Sequence, residues 1–196
     1  MAVKILVFAG STRSGAYSGK VADCAHKELA VQGADVTRIS LVDYPLPIMN
    51  EDLEREEGVP ENAVRLARLF DAHDALMICT PEYNGGMPPL VKNTIDWVSR
   101  VSKDGGKTLK PYNGKVAGIC SSSDGHFAGI RSAAQLRQVL SHIQMELISP
   151  QVSVPNADHA FDDKGDFKEE RLRKAMTREC AVLIEFAKLH SRRADL

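Results

Sequence analysis

The chain lacks the residue patterns that mark several large classes of protein. Its four cysteines, Cys24, Cys79, Cys120 and Cys180, are scattered and form no C-x-x-C pair. Neither a disulfide frame nor a zinc knuckle is written here, and such thiols suit a reducing cytosol. None of the six histidines stands in H-x-x-x-H or H-E-x-x-H spacing, which argues against a metal site. No G-x-S-x-G occurs, so the nucleophile elbow of an α/β-hydrolase is missing. No run of about 18 apolar residues could span a bilayer. The first residues, MAVKILVFAGS, lack the basic region and long apolar stretch of a secretory signal. Neither sign of charge is in excess: 25 Lys and Arg face 26 Asp and Glu, for a net charge of -1. No broad field therefore steers the chain to nucleic acid or a membrane surface. The expectation is a cytoplasmic protein with no metal, nucleic-acid or membrane partner.

What is present reads as one globular domain. With 196 residues, 43% of them hydrophobic, the chain can bury a full core, and residues 1–196 are read as a single domain. Five strand candidates stand out: VKILVFA (3–9), DVTRISL (35–41), ALMICT (75–80), KVAGICS (115–121) and ELISPQVSV (146–154). The first, third and fourth are nearly continuous apolar runs, as in a parallel sheet covered on both faces. Between them lie segments of helical spacing at 18–32, 61–73, 89–101, 129–144 and 168–193. The third of these opens behind Pro88-Pro89, a favourable helix start. Strict alternation of strand and helix predicts an α/β, doubly wound, five-stranded parallel sheet. Five strands fit the flavodoxin-like order 2-1-3-4-5, with helices on both faces, better than a six-stranded dinucleotide fold. NEDLEREEGVPEN (50–62) and SKDGGKTLKPYNGK (102–115) read as surface loops, and Glu51–Glu57 as a solvated face.

Three loops follow the C-terminal ends of strands 1, 3 and 4, where such folds bind ligands. The first is GSTRSGAYSGK (10–20). It is no Walker loop, because only three residues separate Gly15 from Gly19 and Val21 follows Lys20. It is no G-x-G-x-x-G either, because Ser11-Thr12 follows Gly10. It nevertheless has the parts of an anion nest: free N–H groups at a helix start, hydroxyls on Ser11, Thr12, Ser14 and Ser18, and a permanent charge on Arg13. The second loop, TPEYNGGMPPLVKNTIDW (80–97), begins with Pro81 and offers Tyr83 to an aromatic ring. Asn84, Gly85 and Gly86 can turn the chain and bring backbone N–H groups to a ligand. The third, CSSSDGHFAGIRSAAQLRQVL (120–140), repeats the strand, small-polar-loop, helix pattern. Its His126 reads as a solvated or ligand-edge histidine rather than a general base.

These segments resemble the NADPH-dependent FMN reductases, a family that includes quinone, azo-dye and chromate reductases. GSTRSGAYS resembles the family's phosphate loop G-S-x-R-x-x-S. PEYNGGMPPLVKNTIDWVSR is similar to P-E-Y-N-x-x-x-P-x-x-K-N-x-I-D-W. LVDYPLPIMNED (41–52) is similar to the loop after strand 2, and SSSDGHFAGIRSAAQLRQVL to S-x-G-x-x-G-G-x-R-x-x-x-x-L-R. The matches run in order from residue 3 to about residue 155. Two departures stand out. Ala16 and Ser18 occupy positions where the family often has Ser and Asn, which implies a weaker phosphate grip. Gly129-Ile130 occupies the place of two glycines.

The resemblance implies non-covalent FMN, with Ser11, Arg13 and Ser18 at its phosphate, Pro81, Glu82, Tyr83 and Asn84 along its ring, and Ser121 at the ring's other edge. A carboxylate such as Glu82 gains little from a flavin face. The chemistry implied is hydride transfer from NADPH, or NADH, to flavin N5, then transfer of electrons to a small-molecule acceptor. That acceptor is a flavin, quinone, azo dye or metal oxyanion, and no side chain is needed as a catalytic acid or base. The resemblance also implies a homodimer or homotetramer whose partner subunit closes the pocket, with Met49, Leu53 and the helix near Trp97 as contacts. Arg100, Arg131 and Arg137 are candidates for the 2′-phosphate of NADPH. Two rivals stay open: a flavodoxin-type electron carrier, which is usually strongly acidic for docking, and a flavin-binding regulatory protein without turnover.

Overall fold

The computed structural model describes residues 2–194. Its centre is a parallel sheet of β1 (Lys4–Ala9), β2 (Asp35–Ile39), β3 (Ala75–Pro81), β6 (Val116–Ser122), β7 (Glu146–Leu147) and β8 (Ser153–Val154). The order is β2-β1-β3-β6-β7, and β8 also pairs with β6. Counting β7 and β8 as two parts of one edge strand, this is the expected order 2-1-3-4-5. The helices are α1 (Tyr17–Val31), α2 (Glu51–Glu57), α3 (Glu61–Ala72), α4 (Pro89–Ser99), α5 (Ile130–His142) and α6 (Glu170–Ala194).

Side chains alternate across each strand, so an apolar run feeds two cores at once. Ile5, Val7, Met77, Cys79, Val116 and Cys120 face α1 and α6. Leu6, Phe8, Leu76, Ile78, Ala117 and Ile119 face α3, α4 and α5. Each large aliphatic or aromatic side chain buried this way contributes about 1.5–3 kcal/mol. All four cysteines are buried and unpaired; burial pushes the Cys24 thiol up to about 12.

The expected fifth strand, 146–154, is broken in the middle. Ile148 N–H still donates to Ala117 O at 3.1 Å, and Ser121 N–H to Val152 O at 2.8 Å. Between them Pro150, which has no N–H, pushes the chain off the ladder. Two side chains, the half-buried Arg137 and the buried Glu179, satisfy the backbone groups this exposes. From one face Arg137 of α5 donates to Ile148 O at 3.1 and 2.6 Å. From the other, Glu179 of α6 accepts the Val152 N–H at 2.5 Å. Two other expectations differ. Residues 51–57 form α2, which Asn50 caps through Asp52 N–H at 2.8 Å and which buries nothing. The 102–115 stretch contains a small hairpin, β4 (Lys103–Asp104) with β5 (Lys107–Thr108). Trp97 is sealed inside the chain, its Nε1 donating to Pro47 O at 2.8 Å, so a partner contact on its helix would fall to exposed residues such as Lys92. Met49 and Leu53 are half-buried against the same cluster.

Burial pushes the Glu179 carboxyl up from 4.5 to about 8, against the opposing pull of the Val152 N–H and the Cys120 thiol. The folded chain thus holds a proton that the unfolded chain releases near pH 4.5. Stability from this group is full below that pH and falls as pH rises towards about 8, by about 1 kcal/mol per pH unit. Glu179→Gln keeps a carbonyl for Val152 and removes the titration. Urea unfolding between pH 5 and 8 should show the variant losing less stability than the parent; a constant difference across that range would refute the assignment.

Candidate functional site

The first loop runs from Gly10 to Ala16, between β1 and α1. Gly10 N–H donates to Cys79 O at 2.8 Å, which pins the loop to the end of β3. A Cβ at Gly10 would sit 2.4 Å from Val91 Cγ2, so only glycine passes under α4. Ala16 occupies the N-cap position of α1 and offers no side-chain hydrogen bond, and there is no acidic residue in the first turn. The N–H groups of Tyr17, Ser18 and Gly19 are therefore left for a ligand. Ser18 is only 1% exposed, and its Oγ has no hydrogen-bond partner. Arg13 has its guanidinium 5.5 Å from the Tyr17 ring centroid and its Nη1 3.4 Å from Ser14 O; no carboxylate pairs with it among the described residues.

The second loop leaves β3 at Pro81. Tyr83 and Gly86 exchange backbone hydrogen bonds at 3.0 Å each way, across Asn84 and Gly85, both at positive φ (50° and 77°). This is the geometry of a primed turn, for which Asn-Gly is the favoured pair. The loop is tied to α5 at two points. Met87 N–H donates to Gln135 Oε1 at 2.8 Å. Glu82, with a side chain only 6% exposed, accepts Arg131 Nε at 2.7 Å and Arg131 N–H at 3.1 Å, and also meets Arg131 Nη2. Burial alone would raise the Glu82 carboxyl. The Arg131 guanidinium and the N–H groups of Ser132 and Arg131 outweigh it and hold the group below its usual range. Glu82 is thus a positioning residue for the loop.

The third loop leaves β6. Ser121 turns inward: its Oγ donates to Ala128 O at 2.8 Å and meets Ser153 Oγ at 2.9 Å. Ser122 is also buried, but its Oγ has no partner. Gly129 serves the chain, since a Cβ there would lie 3.0 Å from Ser122 O.

The three loops enclose a cavity of about 160 Å³. It brings together Ser11, Arg13, Ser18, Pro81, Glu82 and Tyr83 from the expected set. The wall opposite Ser18 is made by Ser122, Ser123 and Asp124, which the sequence reading did not single out. Their signal was the SSSD run after strand 4, but only the strand register decides which serine faces in. Thr12 lies on the other side of the loop, in a second cavity. Asn84, Gly85 and Ser121 line neither cavity. The Asn84 and Gly85 N–H groups stay free of the turn's own hydrogen bonds. His126 lies outside the cavity, edge-on to Phe127 with centroids 6.0 Å apart. The three arginines suggested for a 2′-phosphate are all engaged. Arg100 pairs with Glu54 at 2.9 Å, Arg131 with Glu82, and Arg137 with the broken strand.

Comparison with known proteins shows the family and the fold. The model of the NADPH-dependent FMN reductase family matches residues 3–159. An NAD(P)H-dependent FMN reductase of Pseudomonas aeruginosa is 32% identical over 186 residues, covering 92% of this chain and 93% of the relative. A quinone reductase of Escherichia coli is 35% identical over 139 residues, 70% of this chain and 69% of its own. Among solved structures, a flavoenzyme NAD(P)H:acceptor oxidoreductase of Paracoccus denitrificans superposes with a TM-score of 0.80 at 24% identity, covering 96% of this chain and 99% of that one. With the family model spanning all three loops and a relative above 30% identity along nearly its whole length, the chain belongs to the NADPH-dependent FMN reductase family.

Proposed function

We propose that the protein is an FMN-dependent oxidoreductase that carries electrons from NAD(P)H to a small-molecule acceptor, with quinones the first class to try. One observation carries the reading. Ser18 and Ser122, whose hydroxyls have no hydrogen-bond partner among the described residues, line the same small cavity, which Arg13 also lines. A hydroxyl left unpaired in the interior costs about 1–3 kcal/mol, and turning either side chain into the cavity would offer it to a polar ligand.

FMN, when bound, supplies the centre that takes up a hydride and passes electrons on. The chain's residues bind and orient. The free N–H groups of Tyr17, Ser18 and Gly19 suit a phosphate at the positive end of the α1 dipole. Ser11, Ser18 and Arg13 complete that set. A volume of about 160 Å³ fits a phosphate and the start of a sugar chain. A ring system then falls to the mouth, where Pro81 and Tyr83 stand. Asn84 and Gly85 offer their N–H groups at the same mouth. Thr12 and Ser121 act indirectly, Ser121 by fixing Ser153 and Ala128 behind the wall.

The mouth also carries Tyr83, Phe127 and Ile130, which are 49%, 62% and 52% exposed. Large apolar groups exposed together favour a covering partner, so we read the working form as a homodimer or homotetramer. The unpaired, buried thiols fit a cytoplasmic protein.

Purified protein given FMN and then desalted should keep the yellow flavin bands. These should bleach under anaerobic NADPH and return on adding a quinone. Loss of all flavin on desalting would overturn the proposal, and retained flavin that no nicotinamide bleaches would favour an electron carrier or regulator. Flavin fluorescence titration should show Ser18→Ala weakening FMN about fivefold and Arg13→Ala about 10- to 100-fold, as expected for one neutral and one charged hydrogen bond. Unchanged affinity in both would place the phosphate elsewhere. Light scattering should give a multiple of the 21.4 kDa chain mass, and a monomer would refute the oligomeric reading.

A further inference from the structure

A second cavity, of about 420 Å³, opens on the other side of the 10–16 loop, between the first turns of α1 and the end of β2. It is larger than the FMN cavity and takes no part in the reading above, although the two share Ser11, Arg13 and Ala16 as a common wall.

Three cations from three separate segments line it: Arg13 from the loop, Lys20 from α1 and Arg38 from β2. The Lys20 ammonium lies over the Phe161 ring, 5.5 Å from Nζ to centroid, and no carboxylate pairs with it among the described residues. Arg38 gives Nε to Asp23 Oδ1 at 3.2 Å and Nη1 to Ile39 O, which leaves Nη2 uncommitted. Two carboxylates share the wall, Asp23 and Asp43, and Asp23 is already taken by Arg38. The cations therefore outnumber the acids. Ser14 and Ser40 add hydroxyls, and Leu41 with the exposed Val42 forms an apolar ledge. Cations, hydroxyls and an apolar ledge are what a phosphorylated nucleoside needs. In the six-stranded dinucleotide fold, a different member of the α/β class, the end of the second strand is where the adenosine ribose is read. An acidic residue there takes a free 2′-hydroxyl, and an arginine takes a 2′-phosphate. Here the position holds Arg38 and Ser40.

We infer that this cavity binds the 2′-phosphoadenosine end of NADPH, with Lys20 and Arg38 selecting NADPH over NADH. The inference rests on the proposed function. The shared wall places this cavity directly behind the loop that lines the proposed flavin site.

The test uses the full chain loaded with FMN and compares the parent with Lys20→Gln, Arg38→Gln and the double variant. The NADPH-to-NADH ratio of kcat/KM should fall about tenfold in each single variant, chiefly through KM for NADPH, and further in the double. Isothermal titration with adenosine 2′,5′-bisphosphate should show saturable binding to the parent and about tenfold weaker binding to the variants, with adenosine 5′-monophosphate binding poorly to all. Arg38 is braced against Asp23, so its loss can disturb the fold; Lys20, which has no ion-pair partner among the described residues, keeps the test intact. An unchanged ratio in Lys20→Gln, or no bisphosphate binding by the parent, would overturn the inference. So would a parallel loss of FMN affinity, which would hand the cavity to the flavin's own phosphate. Failure of the loaded protein to oxidise either nucleotide would sink the proposed function, while the titration would still decide the cavity.

Discussion

The crevice depends on the register of three parallel strands. Ala9 pairs with Cys79 and Cys79 with Cys120, and one step on Thr80 pairs with Ser121 and Pro81 with Ser122. These strands are buried on both faces, so a slip by one residue would drive every side chain into the wrong core. The ladder therefore brings three loops out at one level. Gly10, Pro81 and Ser122 begin those loops, and the close contact of Gly10 with Val91 and Pro81 locks two of them together. The ligand site is a by-product of strand order: it forms where neighbouring connections leave for opposite faces and part.

Around that frame the charged groups divide into two sets. One is used by the fold. Arg131 holds Glu82, Arg137 holds the carbonyl left bare by Pro150, and Arg100 holds Glu54. The other set, Arg13 and Lys20, has no carboxylate partner among the described residues, and Arg38 is only partly engaged. A cation that stands by a cavity without an acid is available to an anionic ligand, whereas a saturated one is a strut. The same distinction separates Ser121, whose hydroxyl is doubly bonded, from Ser122, whose hydroxyl is bonded to nothing in the protein.

Much of this was legible in the sequence because it rests on periodicity. Nearly continuous apolar runs at 3–9, 75–80 and 115–121 read as central strands, and their alternation with helices sets the class of fold. The place of the first loop was legible because it directly follows a buried strand, and its Ser11, Arg13 and Ser18 do line the cavity. What escaped depends on long-range partners. Pro150 lay in plain view, but the gap it opens is held by Arg137 and Glu179, which come from the helix before it and the helix after it. Ser122 could not be preferred to Ser121 without the parity of β6. Arg131 and Arg137 read as free cations because nothing local shows that Glu82 and Ile148 are waiting for them. The small helix at 51–57 buries no residue, so no apolar stripe announced it; Asn50 was its only local signal.

Ala16 shows how a departure from a family pattern can be read through structure. A serine at the N-cap would commonly give its oxygen to an N–H two or three residues on, competing with a ligand for that donor. Alanine leaves all the first-turn N–H groups open and removes one hydroxyl from the site. Ser18 moves the remaining hydroxyl to the buried second position of the helix. In the proposed phosphate site the grip would then lean harder on Arg13, which lines both cavities. A phosphate bound on the Ser18 side draws that charge towards itself and lowers the positive potential on the other side of the loop. What remains there to discriminate a second phosphorylated ligand is Lys20 and Arg38, the two cations that the first site does not touch.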